Sequence, residues 1–444
     1  MLLSALSALA RRGRFRPAAR SPRRTFRPGL EALEDRLVPA PMHWTVTSPA
    51  DNGAAHTLRW AVAKAKSGDT IDITTSQTIV LTHGELVLAH DLTIDFAGFA
   101  NGHQATISGD FHSRVFEVAP RADVNLEDLV LIDGNGEANN PKGTKGADGK
   151  GGAIFNRGTL ALTHCTLSDN GVTRDAPFGN VWITAQLGGG IYNQGPFYHF
   201  GNLTLTKCDL HNNSAGFGGG IDNVGGNVDV RQCSLENNHA VSGGGGIAND
   251  LYLTVWDHSD FDQNTAFEGG GIYNRGLSGF VDVSHCQFDG NRAQLAGGGI
   301  YNNDKGSVRA EDCTFTDNQT TTLGGGVGGA IYSAGSLLLS RCDFEDNHST
   351  AWGGAIYYSL TANIEGCTLT QNSAPGLGGG IYSGGLATLA HCTLTNNSAS
   401  AGGGIYMDSK AILAVGTSTF SGNTPDNLDK TLGTFLDFGG NTGI

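Results

Sequence analysis

No apolar run of the roughly 18 residues needed to span a bilayer occurs in this 444-residue chain, so no transmembrane helix is encoded. Net positive charge is found in one place, the N-terminal segment. Residues 1–40 hold nine arginines against three acids, whereas the whole chain is at −14, which leaves −20 for the remainder. An acidic body repels a phosphate backbone and argues against nucleic acid as a partner. Long amphipathic helical runs are also missing, because glycine interrupts the apolar pattern throughout. The calcium nonapeptide GGxGxD is absent, which removes that particular metal route.

What the chain has instead is a period. A tetrad GGGI or GGAI returns ten times, ending at Ile154, Ile191, Ile221, Ile247, Ile272, Ile300, Ile331, Ile356, Ile381 and Ile405. Each is followed by an asparagine, from Asn170 to Asn423, and five residues before it stands a cysteine, or a serine at Ser259 and Ser418. Most tetrads lie 24 to 31 residues apart, a solenoid spacing. Between them run short alternating stretches such as Val228-Asp229-Val230, strand-like with one buried face. Three short strands per turn predict an all-β, right-handed parallel β-helix with a short N-terminal capping helix. Stacking then places the isoleucines, Leu/Phe positions and cysteines inside. The asparagines sit at the turns, bonded to backbone and to the next asparagine. The stretch Leu251 to Asp257 reads one residue out of phase and predicts a bulge.

Eight cysteines invite a disulfide reading. All occupy one repeat slot, where Leu129 of an earlier partial repeat also fits, so they read as buried free thiols. The chain divides into a basic leader (1–40), an N-terminal cap with first coils (41–133), a Gly/Lys-rich insertion (134–150), ten coils (151–425) and a C-terminal cap (426–444). In the cap, Leu58, Val62 and Ala65 predict one amphipathic helix that Gly68 stops. Two further insertions break the period. Residues 171–187 contain Arg174, Asp175, Phe178 and Trp182, and residues 195–201 contain Phe197, Tyr198 and His199.

GGAI stands at Gly151–Ile154, Gly328–Ile331 and Gly353–Ile356, and FxxN at Phe261–Asn264, Phe288–Asn291, Phe315–Asn318, Phe344–Asn347 and Phe420–Asn423. Over roughly residues 150–425 these repeats resemble those of the chlamydial polymorphic outer-membrane proteins, which implies a right-handed β-helix, surface display and adhesion. The chain departs from that family in showing no C-terminal series of ~10-residue alternating barrel strands. The stretch LEALEDRLVPA, Leu30 to Ala40, resembles an N-terminal motif of exported planctomycete proteins and implies export. The segment from Thr57 resembles the helical N-cap of bacterial extracellular β-helix proteins.

Function is expected where the repeat is decorated or broken. Tyr273, Tyr301, Tyr332, Tyr357, Tyr382 and Tyr406 follow the isoleucine in six successive coils, with Tyr192 earlier, and alternation turns them outward. An aromatic strip can stack on sugars or anchor a protein, or it can simply stabilise the ladder. Trp182 and Tyr198 of the insertions complete the candidate binding set. Carboxylates gather near the Cys-to-Asn segment (Asp260, Asp262, Asp289, Glu311, Asp312, Asp317, Asp343, Glu345, Asp346). They read as a solvated face, a calcium site or a catalytic pair. His164, His258, His285 and His391 precede the cysteine slot and read as exposed residues. The expected protein is a monomeric, extracellular or cell-surface, adhesin-like module that binds a glycan or surface protein without catalysis. It needs no cofactor, although clustered carboxylates admit calcium. The alternatives are a polysaccharide lyase or glycoside hydrolase, and a structural envelope component.

Overall fold

Each coil begins where the tetrad isoleucine turns inward, as the Gly297–Gly328 coil illustrates. Ile300–Asn302 is the first strand, with Ile300 and Asn302 buried and Tyr301 between them facing out. Ser307–Glu311 is the second, burying Val308 and Ala310. Thr314–Thr316 is the third, burying Phe315. A computed structural model describes residues 40–97, 104–136, 148–171, 187–194, 201–276 and 278–444. The basic leader and most of the three insertions fall outside these residues.

All strand pairs are parallel, and each coil pairs with the one before and after it. Ile300 aligns with Ile331, Val308 with Leu337 and Phe315 with Phe344. Third strands form a 13-stranded sheet in strict sequence order. First and second strands merge into a 27-stranded sheet because the 11-residue strand Ile221–Arg231 pairs on both faces. The expected three strands per coil are present. A short fourth was not expected: five coils between Ser214 and Thr320 add one after the asparagine.

In-register stacking builds the interior as rows of like residues. Phe261, Phe288, Phe315 and Phe344 lie face to face at 4.7–4.8 Å, the strand spacing itself. The asparagine row forms the expected chain of amides from Asn170 to Asn423. A second buried amide row escaped the sequence reading. Asn156, Asn193, Asn223, Asn249, Asn274 and Asn302, two residues after each isoleucine, bond in series and end on Ser333.

The N-terminal helix is Leu58–Lys64, capped by the Thr57 side chain and burying Leu58 and Ala61. It ends at Ala65 rather than at Gly68. Ala65 is already extended, and Gly68 (φ +92°) instead shapes the turn into the strand Asp69–Ile73. At the other end, Leu428–Asp429 and Thr434–Asp437 pair with the preceding coil and begin one more.

The expected bulge at Leu251 to Asp257 is corrected. Tyr252–Trp256 pairs in register with Asn227–Arg231. The extra residue is absorbed at the corner, where both Asp257 and His258 take positive φ while the other corners from Asp128 to Thr417 use one such residue. Corners cost less to distort than a paired strand, because no ladder hydrogen bond is lost there.

All eight cysteines are buried and unpaired, and Leu129 fills the same slot one coil before Cys165. Serine fits there when its hydroxyl is bonded: Ser259 Oγ donates to Trp256 O at 3.0 Å and accepts from Cys233 N at 3.2 Å. Cys342→Ser is therefore expected to change stability by only about 1 kcal/mol. In alkylation followed by mass spectrometry, no thiol should react in the folded protein and all eight should react after denaturation without reductant. Disulfide-linked peptides would overturn this reading.

Candidate functional site

The six tyrosines do come together on the outside of the first strands, but as a closed stack. Ring centroids lie 5.0, 4.8, 5.2, 4.7 and 5.5 Å apart from Tyr273 through Tyr301, Tyr332, Tyr357 and Tyr382 to Tyr406. Beyond the first pair the planes are within 27° of parallel. Ring faces are thus spent on each other, and a sugar meets edges and hydroxyls. The rings have the expected outward orientation; Tyr192 and Tyr382 are nevertheless buried, at 3% and 7%, and the other five are half-buried. Burial also raises the hydroxyl pKa of Tyr332 and Tyr357, so these groups stay protonated. Trp352, which the sequence reading missed, lies flat on Tyr382 at 5.5 Å and remains 41% exposed. Trp182 and Tyr198 lie outside the described residues.

A groove of about 650 Å³ runs along the corner after the third strand, lined by Asn237, Asp262, Gln263, Thr265, Asp289, Gly290, Arg292, Asp317 and Gln319. The repeat explains its layout. Asp262 and Asp289 are register partners at the ends of neighbouring third strands. Gln263, Gly290 and Asp317 occupy the left-handed corner before the buried asparagine. Thr265, Arg292 and Gln319 are register partners beginning the fourth strands. Four coils contribute, so the groove extends about 14 Å along the solenoid axis at one strand spacing per coil.

Its electrostatics are uneven. Partial burial, then Asp289 and Glu236, raise the Asp262 pKa. Partial burial, then Asp289 and Asp346, do the same for Asp317. Arg292 is exposed and forms no ion pair among the described residues, although three carboxylates line the same groove. By contrast, Arg309 and Arg341 are tied into a network with Asp282, Glu311 and Asp312. The arrangement offers acceptors for hydroxyl or amine donors and one guanidinium able to grip an oxyanion in a bidentate way. Among the described residues, no three His, Cys, Asp or Glu side chains converge to hold a metal ion.

Of the carboxylates expected to gather, Asp262, Asp289 and Asp317 form this groove, while Glu311 and Asp312 belong to the arginine network at the opposite end of the third strand. The histidines hold left-handed corner positions and are exposed. His258 and His285 neighbour each other at 6.1 Å, whereas His164 and His391 stand alone in their coils' slots. The sequence carried a usable sign of both corners. The residue before the cysteine slot and the residue before the asparagine are mostly His, Asp, Asn or Gly, the types that accept positive φ at least cost.

A family model described as a right handed beta helix region matches residues 271–425. No curated protein matches the chain in sequence. Among solved structures, the complex of an alginate lyase with G6 is similar at a TM-score of 0.37 and 11% identity, over 91% of this chain and 84% of that one. Residues 271–425, which carry the six-tyrosine stack and part of the groove, are therefore a right-handed β-helix region.

Proposed function

We propose that this protein is an extracellular or cell-surface β-helix that binds an extended glycan, or a surface protein, along its flank without catalysing its turnover. The observation carrying this reading is the corner groove. Polar side chains recur there once per coil, in line with the solenoid axis, and include an arginine with no ion-pair partner among the described residues. A repeating groove suits a repeating polymer, because each coil can meet one unit with the same kind of contact. The resemblance of the repeats to chlamydial polymorphic outer-membrane proteins, and of Leu30 to Ala40 to planctomycete export motifs, supports the location. The acidic surface speaks for a partner other than nucleic acid.

Glycan-array binding by the intact chain tests this directly. Asp289→Asn and Arg292→Ala are expected to lower binding at least tenfold. The double variant Tyr332→Ala, Tyr357→Ala should keep binding while losing stability, because those ring faces are already occupied. Binding that follows the tyrosines and ignores the groove would move the site to the aromatic stack.

A second reading, a polysaccharide lyase or hydrolase, draws on one feature of the same groove. Asp262 and Asp317, whose pKa values partial burial raises, line the same groove as the Arg292 guanidinium, a set of groups able to donate a proton and to neutralise a uronate. Depolymerisation of a bound glycan by purified protein would favour it over binding alone. A structural envelope role predicts neither binding nor turnover.

A further inference from the structure

In the outward row, which carries an aromatic ring in the other tetrad coils, two coils break the pattern: Asp222 follows Tyr192, and Ala248 precedes Tyr273. Asp222 is fully buried. Its Oδ1 accepts from Arg275 Nη2 at 2.7 Å, while its Oδ2 has no hydrogen-bond partner among the described residues. Arg275, from two coils further on, also donates from Nε to Asp250 Oδ1 at 2.7 Å and from Nη2 to Asp250 Oδ2 at 3.3 Å. Its guanidinium lies 4.7 Å over the Phe217 ring, and Phe217 stacks on Tyr273. One cation thus serves two carboxylates. When both are ionised, a net negative charge sits in a closed site with one oxygen bare, which is costly in low dielectric. A neutral carboxyl keeps the Arg275 bond and removes that charge.

The geometry points to a pH-responsive latch: Asp222, Asp250 and Arg275 tie three successive coils together most firmly while Asp222 is protonated, and the tie loosens as Asp222 ionises. The groups facing Asp222 are consistent with this. Besides Asp250 and Arg275, the described groups around the site are Tyr192, with Lys150 Nζ 5.4 Å from its ring and the Asp148 carboxyl near it, and, on the Arg275 side, Tyr273, bonded to Glu268. Both phenols are held protonated by burial, pushed up to about 12. Burial, partly offset by Arg275, raises the Asp222 carboxyl to about 7, against 3.8 for an unburied one. The folded state therefore holds a proton that the unfolded chain has released. Stability falls as pH rises from about 4 to about 7 and levels off above.

Thermal unfolding of the full chain and of Asp222→Asn across pH 4 to 8 tests the latch. The two midpoints should nearly coincide at pH 4, and the variant should be several degrees higher at pH 8. Asp250→Asn, which leaves Arg275 to Asp222 alone, should move the loss to lower pH. Hydrogen exchange in Ser214–Arg231 should accelerate with pH in the parent beyond the intrinsic rate, and not in Asp222→Asn. A midpoint difference that stays constant with pH, or an Asp222→Asn chain less stable at pH 8, would overturn the proposal.

Discussion

Asn318→Ala is expected to lower the unfolding free energy by about 3–5 kcal/mol, because several buried polar groups lose a partner at once. Asn318 Nδ2 donates to Phe288 O at 2.8 Å and to Asn347 Oδ1 at 3.0 Å. Its Oδ1 accepts from Asn291 N at 3.1 Å and Asn291 Nδ2 at 3.0 Å. Alanine would take the side-chain donor from the Phe288 carbonyl and leave the Asn291 backbone N–H and one Asn291 Nδ2 hydrogen without an acceptor, in a place no water reaches, since the row there is 0% exposed. Asn291 Nδ2 keeps its other bond, to Phe261 O at 2.8 Å, and Asn347 Oδ1 keeps the one from the backbone N–H of residue 318 at 3.0 Å. Asn423 provides the control. It closes the row, is 8% exposed and bonds Asn427 instead of another coil's corner asparagine, so Asn423→Ala should cost about 1–2 kcal/mol. Urea unfolding of the two variants compares them, and equal costs would show that cooperation along the row is unimportant.

That row was legible in the sequence because its cause is local and periodic. A buried strand needs alternation, and a stacked turn needs a side chain that both donates and accepts, so the pattern of Ile, Cys, Phe and Asn determines which face each residue takes. The same logic failed where neighbours in space, not in sequence, decide. Alternation turned Tyr301 outward but left open whether its ring would be free for a ligand or stacked on its neighbours; in the fold Tyr332 stacks on it at 4.8 Å and Tyr273 packs against it at a tilt. The extra residue at Asp257 looked like a bulge because sequence shows the insertion and not which part of the coil yields. The corner groove was half visible. Asp262, Asp289 and Asp317 stood out as clustered acids, while Arg292 and Gln319 did not, because they lie beyond the asparagine on a fourth strand that the pattern never announced. Asp222 was hidden as well: an aspartate at a tyrosine position reads as an exposed substitution until Arg275, two coils away, is seen to enclose it.

The tetrad yields the sharpest contrast among single substitutions, since its first three residues are constrained for different reasons. Gly353 takes φ +64°, and a Cβ there would lie 2.4 Å from Ile356 O of its own turn. Alanine at that position meets the left-handed penalty of about 1–2 kcal/mol plus a local clash. Gly354 has no such φ, but its Cβ would fall 2.1 Å from Gly379 O and 2.6 Å from Ser373 N. Those are backbone atoms of the next coil, fixed by their own ladders. The third position tolerates a methyl group, as Ala330 and Ala355 show, both fully buried. Gly354→Ala is therefore expected to be the worst of the three, forcing neighbouring coils apart and costing upwards of about 4 kcal/mol or preventing folding. Gly353→Ala should be intermediate. Gly299→Ala, at the third position with its Cβ 2.9 Å from Ala330 O, should stay within about 1.5 kcal/mol of the parent. Soluble yield and denaturant midpoints of the three variants give the order. If Gly353→Ala proved worse than Gly354→Ala, backbone conformation would outweigh coil-to-coil approach as the reason for the repeated glycines. The ranking expected here makes the second glycine the element that sets how closely the coils can stack at this corner.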